Sequence, residues 1–230
     1  MAKSGDPAPV IAIDGPSASG KGTVAQEVAR SLGFHYLDSG ALYRLVAVAA
    51  ARQDVALADE NRLAALAGGL ACEFCGDQIR LDGQSVTDAV RSEQAASGAS
   101  EVAALPQVRR ALLERQRAFR RVPGLVADGR DMGSVVFPDA VLKIFLTASP
   151  EERANRRYKQ LMEKGLRVNL INILRDIEQR DARDIGRPVA PLQVGADAMV
   201  VDTTNLTVAE AVARILESYA ARQSRQAPSR

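Results

Sequence analysis

The sequence is poor in the side chains that most often carry metal, covalent or stacking chemistry. Its 230 residues include one histidine, two cysteines and only 4% aromatic residues. Cys72 and Cys75 form a lone C-x-x-C, and because zinc usually takes four ligands, a zinc site is not expected. If this stretch is a strand, positions i and i+3 point to opposite faces, which also argues against a disulfide. We expect two reduced cysteines.

Long apolar runs and a large net charge are also lacking. No stretch reaches the roughly 18 apolar residues that a transmembrane helix needs, and residues 1–9 do not resemble a signal peptide. We therefore expect a cytoplasmic protein with no membrane partner. Thirty Lys and Arg against 28 Asp and Glu give a formal charge of +2, which disfavours nucleic acid as a partner. No exposed apolar helix face is evident, so a monomer is expected.

Arginine, by contrast, is abundant: the chain has 25 arginines and only 5 lysines. Arginine makes planar, bidentate contacts with carboxylates and phosphates, although a bias in composition is the alternative explanation. The hydrophobic content of 47% is typical of a globular protein. Length and composition predict a single domain over residues 9–222, with flexible ends at 1–8 and 223–230.

Short apolar runs alternate with helical patterns along most of the chain. The runs typical of strands are 10–14, 34–37, 125–127, 141–146 and 199–201, and the helical patterns cover 21–32, 41–52, 107–121, 150–164, 169–185 and 207–222. This alternation predicts an α/β fold with a parallel sheet covered on both faces. Strand-like pieces at 72–74, 78–81 and 85–86, with turn signals at 76–77 and 82–83, predict a small antiparallel insert. Ser149 and Thr207 are predicted to begin helices as capping residues.

A glycine-rich loop follows the first predicted strand and opens the first helix. Its sequence GPSASGKGT matches G-x-x-x-x-G-K in the required context. Backbone N–H groups and the helix N-terminus would surround a phosphate, and Lys21 would reach the β- and γ-phosphates of a nucleotide. The residues predicted to bind the nucleotide here are Gly15, Ser17, Ala18, Ser19, Gly20, Lys21, Gly22 and Thr23.

The residue after Lys21 departs from the general pattern of such loops. Gly22 stands where a serine or threonine usually meets magnesium, and the hydroxyl comes one residue later at Thr23. We therefore expect Mg²⁺ to be held mainly by phosphates and water, with Thr23 contributing through water.

Polar side chains also follow the second and third predicted strands, where ligands of α/β sheets bind. Ser39 either caps the next helix or contacts a ligand, and Tyr43 and Arg44 follow about one turn later. Asp128, at the end of the third strand, is similar to the Walker-B acid that orients magnesium or its water. Arg130 and Asp131 come next, between two glycines.

The segments GPSASGKGT, LDSGALYR and VADGRDMGSVVFPDA, together with RDARDIGRPVAPL, resemble the bacterial cytidylate kinases, a family of nucleoside monophosphate kinases. The resemblance covers about residues 9–220. It implies a three-layer P-loop kinase fold with a five-stranded parallel sheet. It also implies an acceptor-binding insert at about 66–100 and a helical lid at about 153–187.

The resemblance also implies roles for individual residues. Ser100, Arg109 and Asp131 would recognise cytosine, whose amino group needs an acceptor and whose ring acceptors need a donor. Asp184 would contact the sugar hydroxyl. The acceptor phosphate or its surroundings would be bound by Ser39, Arg44, Arg130 and Arg180, and the phosphates by Arg187. The resulting catalytic set is Lys21, Asp128, Arg130, Arg180 and Arg187, with Tyr43 on the acceptor side and Arg157 on the ATP side.

The predicted lid is rich in arginine. Eight arginines lie between residues 153 and 187, and several guanidinium groups closing over a migrating phosphoryl group would stabilise its charge. Arg180 and Asp184 lie at i and i+4, so an ordinary exposed ion pair is the alternative for these two residues.

The function implied is transfer of the γ-phosphoryl group of ATP to CMP or dCMP, with Mg²⁺, in pyrimidine nucleotide metabolism. The acceptor phosphate is already an anionic nucleophile, so no covalent intermediate is required. The alternatives are a kinase for another monophosphate such as UMP or AMP and a nucleotide-gated binding protein. An RNA-binding protein using the arginine-rich stretch at 107–121 is a third, disfavoured by the few aromatic residues.

Overall fold

The computed structural model describes residues 7–76 and 78–226. These residues form eight strands, nine α-helices and one π-helical turn at Met132–Val136. Residues 1–6 and 227–230 of the predicted flexible ends, and Asp77 of the turn predicted at 76–77, lie outside the described residues.

The strands form two sheets. In chain order they are β1 (Val10–Asp14), β2 (His35–Asp38), β3 (Cys72–Cys75), β4 (Gln78–Leu81), β5 (Gln84–Ser85), β6 (Leu125–Gly129), β7 (Leu142–Thr147) and β8 (Met199–Asp202). Five of them form a parallel sheet in the order β2-β6-β1-β7-β8, and β3-β4-β5 form an antiparallel sheet. The predicted α/β fold with a parallel sheet and a small antiparallel insert is confirmed.

The helices account for most of the remaining chain. They are α1 (Lys21–Leu32), α2 (Ser39–Arg52), α3 (Glu60–Gly68), α4 (Thr87–Val90), α5 (Glu93–Val102), α6 (Pro106–Arg117), α7 (Pro150–Glu163), α8 (Leu170–Ile185) and α9 (Val208–Gln226). Helix α6 ends four residues before the predicted boundary at 121. Helix α9 extends past the predicted boundary at 222.

The chain divides into two compact units, one of Met1–Leu37 with Phe119–Arg230 and one of Asp38–Ala118. The first unit contains nearly all of the five-stranded sheet, together with α1, α7, α8 and α9. The second contains α2 to α6 and the antiparallel sheet. The predicted insert at about 66–100 therefore lies within the second unit, and the predicted lid within the first.

The core of the first unit forms around β1. Ile11 and Ile13 are fully buried and pack with Val28 of α1 and Ile215 of α9. An uninterrupted apolar strand is typical of a parallel sheet covered on both faces. The register pairs Ile13 with Asp128 and Asp14 with Gly129, so the carboxyl ends of β1 and β6 meet at one edge of the sheet.

Two predicted helix starts are confirmed. Ser149 Oγ accepts a hydrogen bond from the backbone N–H of Glu152 at 3.2 Å, with Pro150 in the first turn. Thr207 and Glu210 form a capping box, because each side chain accepts the backbone N–H of the other. These contacts satisfy N–H groups that the helices themselves leave without partners.

The two cysteines of β3 are not bonded to each other. Cys72 is partly buried, and burial raises its pKa even though Arg115 donates to its sulfur. Among residues 7–76 and 78–226, no helix has the length and apolarity needed to cross a membrane.

Candidate active site

The phosphate loop, residues 15–23, follows β1 and includes the first residues of α1. A Cβ on Gly15 would lie 2.0 Å from the carbonyl oxygen of Leu146, so only glycine fits this close approach. Ala18 and Gly20 adopt positive φ angles of 58° and 85°. Because Gly20 precedes α1 and has no side chain, the first N–H groups of the helix stay open to an anion.

Cationic side chains hold the carbonyl groups of this loop. The contacts are Lys21 Nζ to Pro16 O at 3.3 Å, Arg153 Nη1 to Ser17 O at 3.0 Å and Arg156 Nη1 to Ser19 O at 3.2 Å. The hydroxyl of Ser19 is buried and has no hydrogen-bond partner within the described part of the chain. An unsatisfied buried hydroxyl in an anion-binding loop is what a phosphate ligand would satisfy.

Asp128, at the end of β6, is buried beside the first turn of α1. Its Oδ2 accepts a hydrogen bond from the phenol of Tyr36 at 2.7 Å. A Cβ on Gly22 would lie 3.3 Å from the same oxygen, which is tight for a carbon next to a carboxylate. The glycine that replaces the usual serine or threonine therefore lets α1 approach Asp128.

These residues fit a magnesium ion that is bound mainly by phosphates and water. The side chain of Thr23 is exposed, and Asp128 supplies a carboxylate at the neighbouring strand end. In the described ranges no group of three or more His, Cys, Asp or Glu residues could bind a metal by itself. Magnesium commonly keeps several waters and takes only one or two protein carboxylates, with phosphates completing its shell.

Arg130 joins the phosphate loop to the end of α8. Its Nη2 donates to Ser17 Oγ at 2.9 Å and its Nε to Asp184 Oδ2 at 2.6 Å. Arg187 donates to the other oxygen of Asp184. Burial alone would raise the pKa of Asp184, but Arg130 and Arg187 hold that pKa below its usual value. Asp184 is thus a carboxylate that holds two arginines beside the loop.

Other arginines of α7 and α8 differ in their contacts. Arg153 is buried and donates to Asp181 of α8 at 2.6 Å as well as to the phosphate loop. Arg157, one of the predicted ATP ligands, donates to Gln160 on its own helix at 3.1 Å. Partial burial lowers the pKa of Arg180 below its usual value, opposed by the nearby charge of Asp176.

In the second unit, Ser39 begins α2 and is buried. The helix is capped by Asp38, whose Oδ1 accepts the backbone N–H of Ala41 at 3.0 Å. The alternative in which Ser39 caps this helix is therefore wrong, because the preceding residue already supplies the acceptor.

Two other predicted acceptor residues of this unit contact each other. The guanidinium of Arg109 lies 5.9 Å from the ring centre of Tyr43 and donates to the carbonyl of Ala103 at 3.2 Å. Both side chains are buried, so Arg109 is held in one place by a ring face and a backbone carbonyl.

The remaining predicted residues of this unit lie on α2 and α5. Arg44 is half-buried on α2. The Oγ of Ser100, on α5, is buried and has no hydrogen-bond partner in the part of the chain that the structure describes. Such a hydroxyl is available to a ligand as either donor or acceptor.

The sequence of the chain also matches those of known proteins. A sequence model of the family described as Cytidylate kinase matches residues 11–221. The chain belongs to the cytidylate kinase family. Within that family it is similar to three bacterial relatives named cytidylate kinase, each covering nearly the whole chain.

The identities to these cytidylate kinases all exceed one half. The relative from Chromobacterium violaceum is 58% identical over 94% of this chain and 97% of its own length. That from Cupriavidus necator is 56% identical over 92% and 96%, and that from Bordetella pertussis is 56% identical over 93% and 96%. The resemblance inferred from the motifs is confirmed.

Reasoning from the sequence missed four side chains that shape this cytidylate kinase site. The sequence pattern predicts Asp14 only as the end of a strand and Tyr36 only as part of another. Arg153 and Arg156 were not separated from the other lid arginines, although they contact the phosphate loop. A signal was present for Asp14, because a carboxylate closing an otherwise apolar strand needs a partner.

Proposed function

We propose that this chain transfers the γ-phosphoryl group of ATP to CMP or dCMP, forming CDP or dCDP. The observation that carries the proposal is Arg130, which belongs to the D-G-R-D-M-G segment at the end of β6. Its guanidinium reaches Ser17 in the phosphate loop and the Asp184–Arg187 pair at the end of α8. One arginine therefore lies where charge on a phosphoryl group passing from the loop would be stabilised.

On the donor side, the phosphate loop binds the phosphates of ATP. Backbone N–H groups of the loop and the start of α1 face the phosphates. Lys21 supplies a point charge, and Ser19 Oγ, which lacks a partner among residues 7–76 and 78–226, supplies a hydroxyl donor. Mg²⁺, when bound, would neutralise charge on the phosphates, with Asp128 and Thr23 orienting its waters.

On the acceptor side, the proposed base-recognising groups are buried. In the first unit Asp131 provides a carboxylate acceptor suited to the amino group of cytosine. In the second unit Arg109 provides a donor held by Tyr43, and Ser100 provides a hydroxyl. Ser39, Arg44, Arg180 and Arg187 are proposed to bind the acceptor phosphate, and Asp184 the sugar.

The chemistry requires no strong base and no covalent intermediate. The acceptor phosphate is an anionic nucleophile, so the protein must align the two phosphates, screen their repulsion and exclude water. We assign the screening to Lys21, Arg130, Arg180 and Arg187. The helices α7 and α8 form the proposed lid, and Arg157 is its proposed contact with ATP.

We place this reaction in the cytoplasm, and we propose that the protein acts as a monomer. The elution volume of the purified chain in gel filtration would test the second proposal.

A panel of acceptors tests the proposed function directly. With ATP and Mg²⁺, the kcat/KM values for CMP and dCMP are expected to exceed those for UMP, AMP and GMP by about 100-fold or more, because buried polar groups reject a base that cannot pair with them. Coupled detection of ADP gives the rates. Equal rates with all acceptors, or hydrolysis of ATP independent of any acceptor, would contradict the proposal.

Replacing the proposed cytosine acceptor, Asp131→Asn, is expected to weaken discrimination against UMP by about 10- to 100-fold. An amide presents both a donor and an acceptor, so it accommodates the carbonyl of uracil that a carboxylate repels. The KM for ATP should change by less than about twofold. A comparable loss of affinity for ATP would show that Asp131 is not specific to the base.

A further inference from the structure

The carboxylate of Asp14 is a partly buried acidic group beside the phosphate loop to which the proposed mechanism assigns no role. Asp14 ends β1 and directly precedes Gly15 of the phosphate loop. Its two oxygens accept one backbone N–H each, from Met132 at 2.8 Å and from Gly133 at 2.9 Å. This carboxylate therefore bridges the start of the donor loop and the segment that contains Arg130 and Asp131.

The bridge fixes a short piece of main chain that no regular ladder holds. Met132–Val136 is a single π-helical turn, and the first N–H groups of such a turn have no partner within it. Asp14 supplies both acceptors at once, which defines the position and the orientation of the chain after Asp131. The adjacent register of β1 and β6, in which Asp14 pairs with Gly129, brings the carboxylate to this segment.

The segment contacts the side chain of Lys143 on β7 and also borders a cavity. A Cβ on Gly133 would lie 3.1 Å from the side chain of Lys143, so the chain there is already in close contact with β7. A cavity of about 140 Å³ borders Asp14, Gly133 and Lys143. Because a cavity borders the segment, packing alone does not fix its position, and the two hydrogen bonds to Asp14 contribute to where it lies.

We infer that Asp14 is a positioning residue for the acceptor nucleotide, holding the main chain after Asp131 so that Asp131 and Arg130 keep the orientation that binds CMP. The inference rests on the proposed function. It adds a residue that touches neither nucleotide, and it makes the acceptor site depend on the same strand end that begins the donor loop.

The ionisation of Asp14 makes the inference testable by pH. Burial and the charge of Asp131 raise its pKa to about 6, while the N–H groups of Met132 and Gly133 and the charge of Arg130 oppose the rise. The other charged groups that border its cavity are Lys143 and Asp197, which form an ion pair at 2.8 Å. Below pH 6 the protonated carboxyl presents a hydroxyl where one N–H needs an acceptor.

The sign of the effect follows from this. Because the pKa is raised on folding, ionised Asp14 is present only above about pH 6, and it lowers stability there relative to the protonated form. A neutral residue at this position would reduce the stability of the fold less than the charged carboxylate does. We therefore expect the charged carboxylate to serve activity, and binding of the acceptor should strengthen as the pH rises through 6.

The test is the Asp14→Asn variant, compared with the wild type from pH 5.5 to 8. At pH 7.5 the KM for CMP is expected to rise about tenfold, because one of the two N–H groups then faces an amide nitrogen. The KM for ATP should stay within about twofold. The phosphate of CMP also titrates near pH 6, but that titration is common to both proteins. The ratio of their kcat/KM values should therefore rise with a midpoint near 6.

Asp197→Asn is the matched control. It removes a carboxylate from the same cavity, but one that is exposed and pairs with Lys143. It should leave both KM values and the pH profile unchanged. If Asp14→Asn lowers the melting temperature but leaves the KM for CMP intact, or raises both KM values equally, the inference is wrong.

Two further outcomes are separated by the design. If Asp14→Asn does not fold, as judged by circular dichroism, inhibition of the wild type by cytidine decides. Because cytidine has no phosphate that titrates in this range, a change in its inhibition constant reports on the protein. The inhibition constant should increase on acidification from pH 7.5 to 5.5, and an unchanged constant would overturn the inference. If the wild type phosphorylates a different monophosphate, the proposed function fails. The same comparison of Asp14→Asn with that acceptor would then decide the role of Asp14.

Discussion

Replacing Arg130 by lysine is expected to lower kcat for phosphorylation of CMP about 1,000-fold, the lower range for an arginine that stabilises a transferring phosphoryl group. The guanidinium of Arg130 spans Ser17 Oγ, the Gly129 carbonyl and Asp184 with three different nitrogens. An ammonium is a compact charge and cannot reach these partners together. It would also leave the buried carboxylate of Asp184 with a weaker partner.

The distribution of the effect between kinetic constants tests the assigned role. An interaction made mainly in the transition state lowers kcat and kcat/KM together, whereas loss of uniform binding raises KM alone. Steady-state rates with saturating ATP and CMP give both. A fall in kcat of less than about tenfold would contradict a role for Arg130 in phosphoryl transfer.

Arg120→Lys is the matched control for this experiment. Arg120 also uses its planar group to join a backbone carbonyl, Ala8 O at 2.6 Å, to a carboxylate, Asp139 at 2.7 Å. It has no part in the candidate active site. Its replacement should affect the melting temperature but leave kcat within about twofold. The control thus distinguishes the general effect of losing an arginine guanidinium from the specific effect of losing that of Arg130.

The largest expected effect on stability comes from Arg153→Met. Arg153 is 3% exposed and donates to the Ala148 and Ser17 carbonyls and to Asp181. Removing one partner of a buried ion pair leaves an uncompensated charge, so the free energy of unfolding is expected to fall by about 3–5 kcal/mol. Urea unfolding followed by circular dichroism measures the change.

Two further variants show whether the loss comes from the isolated charge. Adding Asp181→Leu to Arg153→Met removes both charges and should recover part of the loss. Arg30→Met breaks the exposed pair of Arg30 and Glu27 on α1, which should cost no more than about 1 kcal/mol. If the double variant loses as much free energy of unfolding as Arg153→Met and Asp181→Leu lose separately when added together, the two charges do not interact in the folded state.

The fold and the centre of the site could be predicted because their signals are local. The phosphate loop lies within nine consecutive residues, and Asp128 is identified by its position at the end of an apolar run. The strand and helix patterns around them have the periods of buried strands and amphipathic helices. The short helices α3, α4 and α5 were not anticipated, because alanine-rich and mixed segments between 53 and 105 have no comparably clear period.

The partners of the arginines could not be predicted, because they depend on packing between distant segments. Arg130 meets Asp184 across 54 positions. Arg153, Arg156 and Arg157 occupy neighbouring positions on α7, and only the crossing of α7 past the loop determines which of them reach its carbonyls. The bridge from Asp14 depends likewise on the register of β1 with β6, which the composition of neither strand specifies.

The cationic contacts of the phosphate loop have a consequence for the direction of its peptide planes. In a trans peptide the C=O and the following N–H point in opposite directions. Three carbonyl groups of the loop accept hydrogen bonds from cationic side chains: Pro16 from Lys21, Ser17 from Arg153 and Ser19 from Arg156. The N–H group that follows each of these carbonyls therefore points away from the cation. Arg153 and Arg156 thus set the direction of the loop amides without themselves having to contact a nucleotide. Substitutions of these residues on α7 should alter the affinity of the loop for anions, because they would rotate its backbone amides.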